Sequence, residues 1–274
     1  MTNIYITGAK RSPIGKFLGS LSSLSAPQLG KVVIKQVISD SKLDVDQVDE
    51  VIFGQVLTAG SGQNTARQSA ILAGIPFEKS ALTVNQVCGS GLRSVSLGAQ
   101  SIITNQSEVV IAGGQESMSN ATHTANLRNG LKMGDGKFKD SMIIDGLWCA
   151  MNDYHMGTTA ENVAEKFKIS KLKQDQFATA SQNKAENAQK SKKFSDEIVP
   201  IIIPTKKEEI IIKHDEFPRH GTTLEKVQTL KPVFKKDGTV TAGNASGLND
   251  GSAAVCIMNE KKIKELNISP LARI

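Results

Sequence analysis

The chain has 274 residues, 22% charged and 39% hydrophobic, with a formal net charge of +6. This is the balance of a globular protein with room for one or two domains, and no apolar run approaches the ~20 residues of a membrane-spanning helix. The lysines are scattered beside acids, as in "TKKEEIIIKHDE", and aromatic residues make up only 4%, which argues against nucleic acid and leaves a minority of the charges for a phosphorylated ligand.

In chain order, Ile4 to Thr7 reads as a first strand. "APQLGKVVIKQVIS" reads as an amphipathic helix entered through Pro27. "VDEVIFGQVL" is a second strand, and "NTARQSAILAG" a helix stopped at Gly74. "ALTVNQV" is a third strand, "GSGLRSVSLGAQSIIT" the helix after Cys88, and "SEVVIAGGQES" a fourth strand. Strands alternating with helices imply βαβ units and a layered α/β domain.

From Ser117 to about Asp237 the chain turns polar and lysine-rich, with helices expected in "TTAENVAEKFK" and "KLKQDQFATASQNKAENAQK" and a short strand in "EIVPIIIP". Alternation returns with "GTVTAGNASGLNDGSAAVCIMNE", whose Ala253 to Met258 is a buried strand, and "ELNISPLARI" resembles the opening of another. The division expected is one α/β domain from residues 1–116 and 238–274, interrupted by an inserted domain of residues 117–237.

The three cysteines are few, odd in number and far apart, which argues against a disulfide framework and for a reducing cytoplasm. The start, "MTNIYITGAKRSP", lacks the apolar core of a secretory leader. Cys149 and Cys256 lie in apolar surroundings and read as core residues. No set of His, Cys and carboxylates has metal-ligand spacing, so no metal is expected.

Cys88 is different, because it stands at a bend between a strand and a helix, followed by Gly89 and Gly91. The free N–H groups and positive dipole of a helix start favour a thiolate, and the glycines admit close approach of another molecule. The backbone N–H at Cys88 is placed for a developing oxyanion. A buried structural cysteine is the competing reading, and the pattern alone leaves both open. "GSGLRS" also lies one residue from a dinucleotide-binding turn, but Glu108 begins a strand rather than ending one.

"VNQVCGSGLRSV" resembles the nucleophile motif of the thiolases. The resemblance continues in order through "KRSPIGKFLGSL", "GQNTARQSA", "VIAGGQESMSN", "YHMGTTAEN" and "FKKDGTVTAGNASGLNDGSAA". It covers almost the whole chain and is strongest to short-chain, acetoacetyl-CoA-type members. It implies a thiolase-like α/β layered domain, a βαβαβαββ mixed sheet with helices on both faces, carrying a large, mostly helical inserted loop domain.

The resemblance also implies an acetyl-CoA C-acetyltransferase with Cys88 as the acyl-accepting nucleophile. His155 and Met156 fall on residues lining the pantetheine path of coenzyme A, and Ser246 on the serine that contacts the pantetheine amide, with Ala242 and Gly247 beside it. Arg219 falls near the nucleotide end, and Leu147 and Phe234 fall around the ligand tunnel. Acetyl-CoA, acetoacetyl-CoA and coenzyme A are the implied substrates, with no bound cofactor, nucleic acid or membrane. "ATHTANLRNGLKMGDGKFKDSM" matches the segment through which members associate, implying a homo-oligomer, a tetramer or a dimer.

Taken alone, His155 reads first as a cap or core histidine, while turn chemistry stands as an alternative for Ser246 and a solvated basic patch for Arg219. The family's second half carries an Asn-Glu-Ala-Phe segment, a Gly-His-Pro histidine and a Cys-x-Gly cysteine, and none of these occurs here. Two alternatives follow: a truncated, catalytically incomplete coenzyme A-binding fragment and, more distantly, a dinucleotide-binding oxidoreductase domain.

Overall fold

The computed structural model describes residues 3–274. In chain order the elements are β1 (Ile4–Arg11), β2 (Gly15–Lys16), α1 (Ala26–Asp40), β3 (Glu50–Gly54), α2 (Thr65–Ala73), β4 (Ser80–Val84), α3 (Ser90–Ile103) and β5 (Val109–Ser117). Then come the short strands β6 (His123–Thr124), β7 (Lys139–Asp140), β8 (Trp148–Cys149) and β9 (Tyr154–His155), and the helices α4 (Met156–Lys166) and α5 (Lys171–Lys190). The chain closes with β10 (Ile201–Pro204), β11 (Glu209–Ile212), α6 (Leu224–Gln228), β12 (Asn249–Asn259), α7 (Glu260–Leu266) and β13 (Ala272–Arg273).

These elements form two compact units. Residues 1–121, 197–216 and 249–274 make the first, and residues 122–196 and 217–248 the second. The first unit is built on a seven-stranded mixed sheet in the order β13-β1-β12-β5-β3-β4, with β2 paired to β12. β3 is parallel to β4 and β5, as the βαβ rhythm requires, whereas β12 is antiparallel to both β1 and β5.

Alternation along the strands divides the apolar residues between two faces. Val51, Phe53, Val109 and Ile111 meet α1 and α2 on one side. Ile52, Val110 and Ala112 meet Ala99 and Ile102 of α3 on the other. Local chemistry sets the helix ends. Ser25 caps α1 in a capping box with Gln28, and Gly74 closes α2 at φ +95°.

β1 runs past the expected Thr7 to Arg11, because a register shift between Ile6 and Gly8 restores its pairing with β12. Arg11 then makes a bidentate pair with Asp215 at 2.6 and 2.9 Å and reaches Glu197 at 2.6 Å. Burial opposes the guanidinium charge, but these carboxylates outweigh it and raise the Arg11 pKa. The β10–β11 hairpin thereby belongs with the first unit, and its Ile201 packs with Leu21 and Leu29 of that unit. Its second strand, Glu209–Ile212, adds a partner to the single strand expected there.

α5 of the second unit is polar nearly all round, and Asp175 is its one buried residue. Ser170 caps its start through the Lys173 amide. Among the described residues no helix is long and apolar enough to cross a membrane.

Candidate active site and ligand cavity

In the first unit, β4 ends at Val84 and α3 begins at Ser90, and Cys88 lies exposed on the bend between them. The bend is strained. Val87 adopts φ +50°, a left-handed conformation that a β-branched residue enters at a cost on the order of 1–3 kcal/mol. Side-chain hydrogen bonds help hold it there: the Val87 amide donates to Asn85 Oδ1 at 2.9 Å, and the Gln86 amide to Ser90 Oγ at 2.8 Å. The Ser90 hydroxyl in turn donates to the Val87 carbonyl.

The sheet carries this bend closely. A methyl group at Gly54, the last residue of β3, would fall 2.5 Å from the Ser90 backbone carbon, so only glycine lets α3 start so near the strand. Ser94 completes the seat by donating to the Gly113 carbonyl of β5 at 2.8 Å. The result is an exposed thiol at the C-terminal edge of parallel strands and the N-terminus of a helix, a position suited to nucleophilic attack.

The other sequence-derived candidates, Leu147, His155, Met156, Arg219, Phe234, Ala242, Ser246 and Gly247, all fall in the second unit. His155 ends β9 and caps α4 by accepting the Gly157 amide on Nδ1 at 2.9 Å. Its ring stacks on Phe234, with centroids 4.7 Å apart and an interplanar angle of 17°. Gly157 makes this stack possible, since a Cβ there would fall 2.3 Å from the Phe234 ring. Met156 begins α4 partly exposed, and Leu147 is half-buried at the end of a wide helical turn, Met142–Leu147.

Arg219 and Ala242 share a cavity of about 300 Å³ with His220, Lys226, Val227 and Leu230. Its cationic rim and apolar floor suit a ligand with an anionic group and a flat or aliphatic body. Ser246 is exposed in the turn that follows, and Gly247 is half-buried beside Phe217. That turn is braced by the buried Thr241, whose amide donates to Asn244 Oδ1 at 2.8 Å and whose carbonyl accepts the Ala245 amide at 2.9 Å.

The cysteine expected in the core at position 149 is instead half-exposed on β8. The Asn152 side-chain amide sits 3.1 Å from its sulfur, and this bond, with help from backbone amides, lowers the thiol pKa. The hairpin is only two residues a side and cannot enclose the thiol. Cys256 is fully buried, and burial pushes its thiol up. Among the described residues no group of three His, Cys, Asp or Glu is placed to hold a metal ion.

Sequence reasoning overlooked the polar face of α5 that supports the 219–221 turn. Gln182, Glu186 and Gln189 each reach that turn, and their helical spacing was the available signal.

The family described as thiolase, N-terminal domain, matches residues 4–261. An acetyl-CoA acetyltransferase of Paracoccus denitrificans is 56% identical over 274 residues, which is 100% of this chain and 70% of the relative. One from Allochromatium vinosum is 55% identical, over 99% of this chain and 70% of the relative. The crystal structure of the Bacillus anthracis acetyl-CoA acetyltransferase matches with a TM-score of 0.97 at 40% identity, covering 100% of this chain and 70% of that one.

Proposed function

The chain belongs to the thiolase family, and from that premise we propose that it carries the acyl-accepting nucleophile and the coenzyme A surface of an acetyl-CoA acetyltransferase. One observation carries the reading: an exposed cysteine held on a strained bend where parallel strands end and a helix begins. A structural cysteine gains nothing from such a position. A nucleophile gains access, a helix dipole and nearby backbone amides.

In the reaction proposed, the Cys88 thiolate adds to the thioester carbonyl of acetyl-CoA. The tetrahedral intermediate collapses to an acetyl-thioester on Cys88, and the coenzyme A thiolate leaves and takes up a proton. A second acetyl-CoA, deprotonated at its α-carbon, then attacks the acetyl-enzyme, forms the new carbon–carbon bond and expels Cys88 as thiolate. Thiolysis of acetoacetyl-CoA is the same path reversed.

His155, Met156, Leu147 and Phe234 would line the pantetheine, with Ala242, Ser246 and Gly247 along its amide, and Arg219 would meet phosphate at the nucleotide end. What supports this is the cationic rim of the 300 Å³ cavity and the fixed His155–Phe234 pair. A homo-oligomer and a cytoplasmic setting complete the proposal, supported by the resemblance of the segment 121–142 and by three unpaired cysteines. The residues between Met1 and Ile274 do not include the family's histidine and second cysteine motifs, so this chain alone is proposed to stop at the acetyl-enzyme stage.

The test is intact-mass spectrometry after incubation with acetyl-CoA, with titration of the coenzyme A thiol released. Addition of one acetyl group at Cys88, lost in Cys88→Ser, and no accumulation of acetoacetyl-CoA are the expected results. Binding of NAD in place of coenzyme A would point to the dinucleotide reading. Sustained turnover would show that a base within this chain replaces the absent histidine.

A further inference from the structure

α5 is a 20-residue helix without an apolar seat. What it turns toward the rest of the second unit is a row of polar side chains. Asp175, Gln182, Glu186 and Gln189 follow one another at intervals of seven, four and three residues, which places them on one helical stripe.

Each member of the row ends on one of two turns that border the 300 Å³ cavity. Gln182 Oε1 accepts the Arg219 amide at 2.8 Å, Glu186 Oε2 accepts the Gly221 amide at 2.7 Å, and Gln189 Oε1 pairs with His220 Nε2 at 2.6 Å. Further back, Asp175 is fully buried, and its Oδ1 accepts Asn244 Nδ2 at 2.9 Å while Lys171 neutralises its Oδ2 at 2.7 Å. Asn244 in turn holds the Thr241 amide and the Thr239 carbonyl.

We propose that this stripe of α5 is the positioning frame of the cavity, with Gln182 and Glu186 fixing the 219–221 turn toward the nucleotide end of the ligand and Asp175 fixing the 241–247 turn through Asn244. The proposal rests on the coenzyme A reading of the cavity. Its physical content is preorganisation. Turns rich in glycine and small residues have many conformations to lose on binding, and side-chain acceptors on a rigid helix remove that loss beforehand. Gln182 also lines the cavity, so its positioning role is read from exchange at Arg219 without ligand, and the four act by aiming Arg219, Ala242 and Ser246.

Two measurements test it on the whole 274-residue chain. The first is amide hydrogen exchange without ligand. Gln182→Ala should speed exchange at Arg219, and Glu186→Ala at Gly221, each roughly tenfold or more, while the amides of α5 keep their protection. The second is calorimetry with coenzyme A and with pantetheine. The same two variants should weaken coenzyme A roughly tenfold and leave pantetheine unchanged, and Gln182→Glu, which keeps an acceptor oxygen at the same reach, should restore the protection at Arg219. Asp175→Ala should weaken both ligands together.

Unchanged exchange at Arg219 and Gly221 overturns the proposal, and so does lost protection with undiminished coenzyme A affinity. Should Asp175→Ala fail to fold, the Gln182 and Glu186 variants, whose side chains are only half-buried, still decide it. Failure of the unsubstituted chain to bind coenzyme A would refute the cavity reading itself and the ligand half of this proposal with it. That outcome is recognisable because it requires no substitution.

Discussion

The hydroxyl of Ser90 donates to the carbonyl of Val87 at 2.5 Å, so the first residue of α3 ties down the residue that turns the chain toward Cys88. The same oxygen accepts the Gln86 amide. Ser90→Ala removes both bonds at once and lets Val87 relax toward negative φ. The expected loss of stability is about 1 kcal/mol, with a several-fold fall in the rate of Cys88 acetylation. Chemical denaturation and mass spectrometry check the two separately. A variant that is less stable but acetylated at the parent rate would show that the bend does not depend on this clamp.

The three thiols should separate in an alkylation experiment. Cys256, fully buried with its pKa raised, stays protected until the chain unfolds. Cys88 reacts because it is exposed. Cys149 competes with it, because the Asn152 hydrogen bond lowers its pKa and more thiolate is present at a given pH. Asn152→Ala should shift the alkylation profile of Cys149 to higher pH and leave that of Cys88 in place. Peptide mapping after brief iodoacetamide treatment across a pH series reads this directly.

Glu161 gives the second unit a defined acid limit. It is buried, which opposes its charge, but the Val240 and Thr239 amides, the Thr239 hydroxyl and nearby Lys235 outweigh burial and lower its pKa below 4.5. A carboxylate depressed in the folded state contributes stability above its unfolded pKa and loses it as pH falls through the folded value. The second unit should therefore weaken below about pH 4.5, and Glu161→Gln should flatten that dependence while costing about 1–3 kcal/mol at neutral pH, since an amide cannot satisfy all three donors. Thermal melts of both proteins between pH 3 and 7 provide the comparison, and parallel curves would count against this assignment.

α3 buries its small residues Ser90, Ser94, Gly98 and Ala99 and leaves Leu92 80% exposed and Ile103 56% exposed. The groove beside Leu92 and Val95 has a volume of about 440 Å³ and is lined by Ala112, Ala253 and Ala254 of the sheet. An apolar surface of this kind favours association. The isolated chain should bind a hydrophobic dye and scatter light as concentration rises. Leu92→Ser should reduce both with helix content intact, and identical scattering from the variant would move the sticky surface elsewhere.

The parts of this fold governed by local periodicity were legible in the sequence. α5 begins and ends at Lys171 and Lys190 as its pattern indicates, and Gly74 stops α2. Elements governed by distant partners were not. β12 starts at Asn249, four residues before its apolar stretch, because the polar Asn249 and Asp250 pair with Lys16 and Gly15 of β2. The assignment of the β10–β11 hairpin to the first unit depends on Arg11, almost two hundred residues away. The cysteine at the bend was legible as a candidate because glycines flank it, whereas the strain at Val87 was not, since nothing in a valine announces a left-handed backbone.

The placement of β1 in the sheet has a consequence for how the protein assembles. Its two neighbours are β12 and β13, strands made long after it, and Ile4 pairs with Asn259 across more than two hundred and fifty residues. β3, β4 and β5 can pair with one another, under α2 and α3, as soon as the first 117 residues have emerged. β1 has no sheet edge to join until the ribosome has delivered more than a hundred further residues. Long-range closure of this sort is slow, and a strand waiting with both edges open is a template for the wrong partner. The yield of folded protein should therefore depend less on the strength of the core than on how that first strand is sheltered while the rest is made.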